Sequence, residues 1–379
     1  MERIEKISQV LKNKSINSAF ILKPLNIFYF TGELVNGVLY VSQDDAILFV
    51  RRPKERPLST RTKTVFVDSF KEIKGYISAS TGRAGFELDS IPYNLVAKLS
   101  EALEFREFED ISHEIRILRM VKEPIEIEKI RKAGEIIGKT FSQVQEVFVE
   151  GMTERELLLE LDYYSRKNGN LAIYRMHSFG NEASFSHILQ GEDALVSSYL
   201  DAPTGGPGVS SAFPQGSSNK RIEKGKPFTI DVMVNFDGYV ADATRTFALG
   251  YFPEDFKVLW EKLNSVFRFL CEDLLSGRIP EEIYIKTLEY VSSLGVMDLF
   301  MGRGKDRVKF IGHGTGLEVD EYPFIAKGFK IPLSENMIVA IEPKFVGEPF
   351  GIMGLEDTFV INNDGPESLI PFESSLILL

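Results

Sequence analysis

Cysteine is all but absent from this chain. Cys271 stands alone among 379 residues, so no intrachain disulfide forms and a reducing compartment suits the protein. Long apolar runs are missing too. The segment SAFILKPLNIFYF is interrupted by Lys23 and Pro24, so a bilayer-spanning helix is excluded there. The opening MERIEKISQVLKNK mixes acids and bases without an apolar centre and does not read as a secretory signal. Positive charge is in deficit: 44 Lys and Arg stand against 55 Asp and Glu, a formal net charge of −11. That balance excludes a general nucleic-acid binder, which needs a basic face. No internal repeat or low-complexity tract is visible. These absences point to a cytoplasmic protein with neither nucleic acid nor membrane as partner. What remains, 44% hydrophobic and 26% charged, is ordinary for a soluble globular chain.

The first 115 or so residues read as alternating helix and strand. Residues 3–11 form an amphipathic helix. Strand-like runs follow at Ser18–Leu22, Gly37–Val41, Ala46–Val50, Thr64–Val67 and Gly85–Glu87, and Tyr93–Leu103 carries Leu95, Leu99 and Leu103 on one helical stripe. No cofactor motif lies there, so a structural or oligomerising role is expected. Pro124 opens a long helix at its first turn. Thr153 and Glu156 have the spacing of a capping box. The domain boundary is placed near residue 120. Residues 171–220, rich in Gly, Ser and Pro, read as a long functional loop. His177 and His187 within it are expected to be surface histidines.

The chemistry sits further on. Asp231, Asp242, Glu342 and Glu356 are embedded in otherwise apolar, strand-like segments, and His313 lies in FIGHGTG. Burying an unpaired carboxylate costs several kcal/mol or forces it to protonate. Two divalent cations would balance four carboxylates. Asp237-Gly238 between apolar runs predicts a hairpin in which Asp231 faces Thr244 and Met233 faces Asp242. The two Asp then share one face as diagonal neighbours, with Cα atoms roughly 7–8 Å apart. A turn centred on Pro349 sets Glu342 opposite Glu356. Four carboxylates and one imidazole suit Mn²⁺, Co²⁺, Fe²⁺ or Zn²⁺ rather than a thiolate-rich structural zinc site. Any one of these residues alone reads more simply as an edge residue, an ion-pair partner or a core histidine; the joint pattern does not.

That pattern resembles the M24 metallopeptidase family, whose ligands run Asp, Asp, His, Glu, Glu. The motifs stand as Ile230-Asp231, Asp242-Ala243-Thr244-Arg245-Thr246, Gly312-His313-Gly314-Thr315-Gly316, Ile341-Glu342-Pro343 and Leu355-Glu356-Asp357-Thr358. The resemblance implies an α+β protein: a creatinase/prolidase-like α/β domain over 1–120, then a pita-bread catalytic domain over 121–379. It implies two divalent ions held by the five residues and a short peptide substrate. It also implies a homodimer in which the amino-terminal domain covers the partner's site. Asn26–Gly32 and Arg245 favour the Xaa-Pro dipeptidase and aminopeptidase P branch. The implied catalytic group is Glu342, Arg245, Gln215 and Asp320, with Glu342 as general base.

Four departures accompany the likeness. Gln215 and Asp320 stand where the family often has histidine, Lys344 where glycine is usual, and Gly354 where arginine is common. The second reading is therefore a non-hydrolytic or creatinase-like member that binds a small amide or peptide.

Overall fold

The computed structural model describes residues 2–77, 82–105 and 107–379. The chain divides into two compact units, Met1–Arg119 and Met120–Leu379.

In the first unit the apolar runs become α1 (Glu2–Asn13), β1 (Ser18–Ile21), α2 (Pro24–Thr31), β2 (Asn36–Ser42), β3 (Ala46–Arg52), β4 (Lys63–Phe66), α3 (Phe70–Ile73), β5 (Ala84–Phe86), α4 (Tyr93–Leu103), β6 (Phe108–Asp110) and α5 (Ser112–Met120). One six-stranded sheet runs in the order β4-β3-β2-β1-β5-β6. Phe20, Phe49 and Phe86 are fully buried in its core. The sequence reading missed α2, α3, β6 and α5. In α2, Pro24 occupies the first turn, where its missing N–H costs nothing. The same proline that interrupts the apolar run therefore starts a helix.

Glu87 anchors that corner. Its Oε2 accepts from Leu22 N at 2.6 Å and Lys23 N at 3.1 Å, and its Oε1 from Asn26 Nδ2 at 2.7 Å. Asn26 in turn accepts from Arg119 Nη1 at 2.7 Å.

In the second unit α6 (Pro124–Val147) and α7 (Glu154–Lys167) precede β7 (Ser186–Gln190), β8 (Pro227–Phe236) and β9 (Tyr239–Ala248). Two further helices, α8 (Glu254–Asp273) and α9 (Pro280–Ser293), lead to β10 (Phe310–Gly314), β11 (Glu321–Ala326), β12 (Ile338–Ile341), β13 (Lys344–Gly347), β14 (Gly351–Gly354) and β15 (Asp357–Val360). The short strands β16 (Glu367–Ser368) and β17 (Ile377–Leu378) finish two of the sheets. The orders are β17-β9-β8-β7, β11-β10-β12-β15-β16 and the pair β13-β14. Thr153 caps α7 by accepting from Glu156 N, with the reciprocal bond from Thr153 N to Glu156, as its spacing predicts.

The 171–220 segment departs from the loop expectation, because β7 pairs antiparallel with β8 inside it. Glu154, the first residue of α7, holds that strand in place. Its two buried carboxylate oxygens accept from Gln190 N and Ser218 N, each at 2.8 Å. A five-residue strand whose hydrogen-bond partner lies some forty residues away carries too short a periodic signal to be read locally.

Burial pushes Glu87 up to about 7 against its hydrogen bonds, from an ordinary value of 4.5. The folded value exceeds the unfolded one, so its contribution to stability is full below about 4.5 and is lost as pH rises through 7. Across that window the loss is about 3 kcal/mol. Denaturant titrations from pH 4.5 to 8 are expected to show this slope in the wild type and not in Glu87→Gln. Equal slopes in the two proteins would remove the assignment.

Candidate metal centre

Two hairpins deliver the carboxylates. The β8–β9 turn uses Asp237 and Gly238, both with positive φ (50° and 94°), the backbone that a tight two-residue hairpin demands. The register is as the turn predicts: Asp231 pairs with Thr244 and Met233 with Asp242. In the second hairpin Ile341 pairs with Asp357 and Lys344 with Gly354. Between them a single backbone bond remains, Leu355 N to the Pro343 carbonyl at 3.3 Å, while Glu342 N donates to the Ile311 carbonyl and a gap is left beside Glu356. The gap is filled from the other sheet. Thr244 and Glu356 exchange backbone hydrogen bonds at 3.3 and 3.1 Å, and Thr244 Oγ1 donates to Glu356 Oε2 at 2.8 Å. The two sheets therefore join at the carboxylates. His313 enters from β10, which pairs with β12 and brings His313 against Ala340.

All five residues are buried. His313 Nδ1 lies 3.1 Å from the Gly314 carbonyl, which only accepts, so Nδ1 donates there and Nε2 is turned towards Glu342. Glu342 Oε1 lies 3.6 Å from that Nε2. Ligand atoms of Asp242, His313 and Glu356 fall within 4.8 Å of one another. Asp242 Oδ1 is buried without a hydrogen-bond partner among the described residues. An orphaned buried oxygen beside an imidazole lone pair and a second carboxylate fits one divalent ion.

The other half of the cluster does not fit a second ion. Lys344 Nζ lies there, 2.7 Å from Glu342 Oε2, 3.0 Å from Asp231 Oδ2 and 3.2 Å from Glu356 Oε2. Its three N–H donors match three carboxylate oxygens, and its side chain is 2% exposed.

The electrostatics follow from that placement. Burial works to raise Asp231, but the Lys344 and His187 charges and the Lys344 hydrogen bond outweigh it and hold the carboxyl below its ordinary value. Asp242 lacks such a partner. Burial first, then the charges of Glu356 and Asp231, push it well above the carboxylate range. Burial lifts Glu356 to about 8 even with Lys344 beside it. Burial opposes the charge on Lys344 itself, yet Asp231, Glu342 and Glu356 together raise it well above a free lysine. Without an ion, the positive charge thus sits on the Asp231–Glu342 side and the Asp242 side is left wanting a cation.

His187 corrects the expectation of a surface histidine. It lies on β7 in register with Asp231, its Nε2 3.5 Å from Asp231 Oδ2 and 2.8 Å from Thr204 Oγ1. Burial depresses its pKa more strongly than Asp231 raises it. His177 is also largely buried, with Nδ1 3.7 Å from Glu318 Oε2.

The remaining candidates sit outside the cluster. Gln215 accepts from Ser198 Oγ at 2.8 Å and donates to the Thr204 carbonyl at 3.2 Å, which buttresses the residue that touches His187. Asp320 accepts from the backbone N–H of His177 at 2.6 Å and of Ser178 at 3.3 Å, so it ties down that loop. Arg245 is fully buried and points away. It donates to the carbonyls of Glu356, Phe372 and Glu373 and to Asp357 Oδ1 at 2.7 Å. Arg245 thus positions the strand carrying Glu356 instead of touching the cluster.

Sequence reasoning undervalued Lys344. The signal was available: Lys344 follows Glu342 by two in an extended segment, so both side chains emerge on one face.

Removing the Arg245 fork strands Asp357 as an uncompensated buried charge, a loss of about 3–5 kcal/mol. Arg245→Met is expected to melt far below the wild type. Arg245→Lys should recover little, since one ammonium cannot span five acceptors, the Thr244 carbonyl at 3.0 Å among them. A folded Arg245→Met protein of unchanged melting temperature would refute this role.

Comparison with known proteins accords with this architecture. The profile of the metallopeptidase family M24 matches residues 128–363, and that of the creatinase/prolidase N-terminal domain matches residues 3–121. The Xaa-Pro dipeptidase of Pyrococcus furiosus is 30% identical over 380 residues, spanning 99% of each chain. The crystal structure of the prolidase from Pyrococcus horikoshii superposes with a TM-score of 0.82 at 26% identity, covering 100% of both chains. The X-Pro aminopeptidase of Thermotoga maritima reaches a TM-score of 0.79 at 22% identity, over 96% of this chain and 98% of that one, a likeness of fold. With a creatinase/prolidase-type amino-terminal domain ahead of a peptidase domain matched over residues 128–363, this chain belongs to metallopeptidase family M24.

Proposed function

We propose that the protein is a metal-dependent exopeptidase that cleaves short peptides with proline in the second position. The observation that carries this reading is the convergence of Asp242, His313 Nε2 and Glu356 as a ligand set beside Glu342, in a chain that aligns end to end with Xaa-Pro dipeptidases. An ion held by those three residues would polarise the scissile carbonyl and lower the pKa of a bound water from ~15.7 towards ~7. Glu342 is the general base, because it lies next to His313 on the inner face of the cluster. Lys344 holds one oxygen of Glu342 and so orients the other towards His313. His187, backed by Thr204, borders Asp231 from β7. Mn²⁺, Co²⁺, Fe²⁺ and Zn²⁺ all suit this donor set.

The non-hydrolytic reading draws on one observation. Lys344 binds the oxygens of Glu342 and Glu356 that a fully metallated site would use, and neither Gln215 nor Asp320 takes the place of a proton-carrying histidine there. The peptidase reading is favoured because the Asp242 side retains its ligands. Hydrolysis of Ala-Pro and Ala-Pro-Ala after loading with Mn²⁺ or Co²⁺ is the direct test. Slow turnover is expected, falling a further ~10²–10³-fold in Glu342→Gln with metal content unchanged. Metal-loaded, folded protein that binds such peptides and releases no product would favour the binding role.

The amino-terminal unit is read as a dimerisation element of a cytoplasmic enzyme. The unit carries no ligand cluster among its described residues, and the edge strands β4 and β6 expose Phe66 and Phe108. Light scattering at micromolar concentration is expected to give twice the 42.8 kDa chain mass. A monomer at that concentration would contradict it.

A further inference from the structure

We propose that the Lys344 ammonium is a built-in replacement for one of the two cations this cluster is shaped to hold, so that the site takes at most one divalent ion, on the Asp242–His313–Glu356 side. The inference rests on the metal-site part of the reading above and not on which substrate is cleaved.

Three observations carry it. First, Nζ sits where three carboxylates from three separate chain segments meet, at 2.7–3.2 Å from each. Those are hydrogen-bond lengths, and a metal ion bonded to the same oxygens at about 2.0–2.2 Å would overlap the nitrogen. Second, the partners divide between two halves. Asp231 and Glu342 bond to Lys344, whereas among the described residues Asp242 and His313 do not, and Asp242 Oδ1 stays unpartnered. Glu356 belongs to both groups, and the second oxygen of Glu342 lies 3.6 Å from His313 Nε2. Third, the fold makes room for the lysine. Gly354 is its cross-strand partner, and a Cβ on Gly354 would lie 3.1 Å from Lys344 Cγ and 3.1 Å from Thr244 Cγ2. Such a contact is tight enough that the lysine stem would have to shift. The small residue opposite and the long cation thus form one device that brings a fixed charge into the cluster.

The chemical consequence is a centre with one exchangeable and one covalently tethered cation. The tethered one donates hydrogen bonds and fixed positive charge, and it neither leaves under chelation nor activates a water as a metal does. Chelators should therefore strip the ion without removing all charge compensation from the carboxylates.

Metal stoichiometry tests this without substrate. Full-length protein is stripped with EDTA, dialysed against excess Mn²⁺ and analysed for bound manganese. The wild type is expected to hold no more than one ion per chain, and His313→Ala to abolish it. Lys344→Ala should raise the count to two. Two ions in the wild type would overturn the proposal, as would a folded Lys344→Ala protein binding no more than the wild type. If Lys344→Ala does not fold in EDTA, folding restored by Mn²⁺ supports the proposal. A second variant covers failure in both conditions. Lys344→Ala combined with Asp231→Asn removes one negative charge along with the ammonium and should melt above the single variant; no rescue would overturn the charge-replacement claim. One ion bound without Xaa-Pro cleavage would defeat the peptidase reading and leave this inference standing. Two ions with cleavage would do the reverse.

Discussion

Four buried carboxylates brought within a few ångströms of one another need positive charge, and the rest of the catalytic unit is arranged around supplying it. Each of Asp231, Asp242, Glu342 and Glu356 would repel the others and lose hydration on burial, a cost of several kcal/mol per charge when unmet. The structure meets it unevenly. Lys344 bonds Asp231, Glu342 and Glu356 and not Asp242, and the imbalance shows in opposite pKa shifts: Asp231 is held down, while burial and the neighbouring carboxylates drive Asp242 up. A cation bound on the Asp242 side would relieve the group that the lysine leaves exposed to repulsion.

The strand architecture makes that arrangement rigid. The break at Glu342-Pro343 and Leu355-Glu356 frees two carboxylates from ladder positions while the flanking pairs on both sides keep one register. Into the break comes Thr244, which ties Glu356 to the Asp231–Asp242 hairpin through backbone and side-chain hydrogen bonds. Behind it Arg245 fastens the carboxy-terminal segment to the same strand. A ligand set built on paired strands and supported by buried hydrogen bonds holds its geometry without a bound group, which is what preorganised chemistry requires.

The loop that closes the other side follows similar logic. Asp320 and Glu154 are acidic residues in the catalytic unit that do no chemistry in the cluster. Each satisfies backbone N–H groups of the 171–220 segment and so braces the backbone around His177 and around β7, which carries His187. Gln215 reaches the cluster only through Thr204 and His187. Gln215 therefore acts as a bracing side chain.

Much of this was determined by the sequence alone. The Asp237-Gly238 turn set the register of Asp231 and Asp242, because a two-residue hairpin leaves no freedom in pairing. Pro124 and the Thr153–Glu156 pair marked their helix starts because caps are local chemistry. The candidate acidic cluster was legible since a carboxylate inside an otherwise apolar segment is anomalous wherever it occurs, and the structure buries Asp231, Asp242, His313, Glu342 and Glu356. Tertiary structure alone decided the rest. That β7 exists, and sets His187 against Asp231, depends on pairing with a strand some forty residues away. That Arg245 turns away from the cluster depends on where Phe372 and Glu373 pass. That Lys344 fills half the cluster depends on the space above Gly354 and on three oxygens from three segments meeting at one point. A side chain's partners across the fold are set by packing, and no local pattern in the chain encodes them.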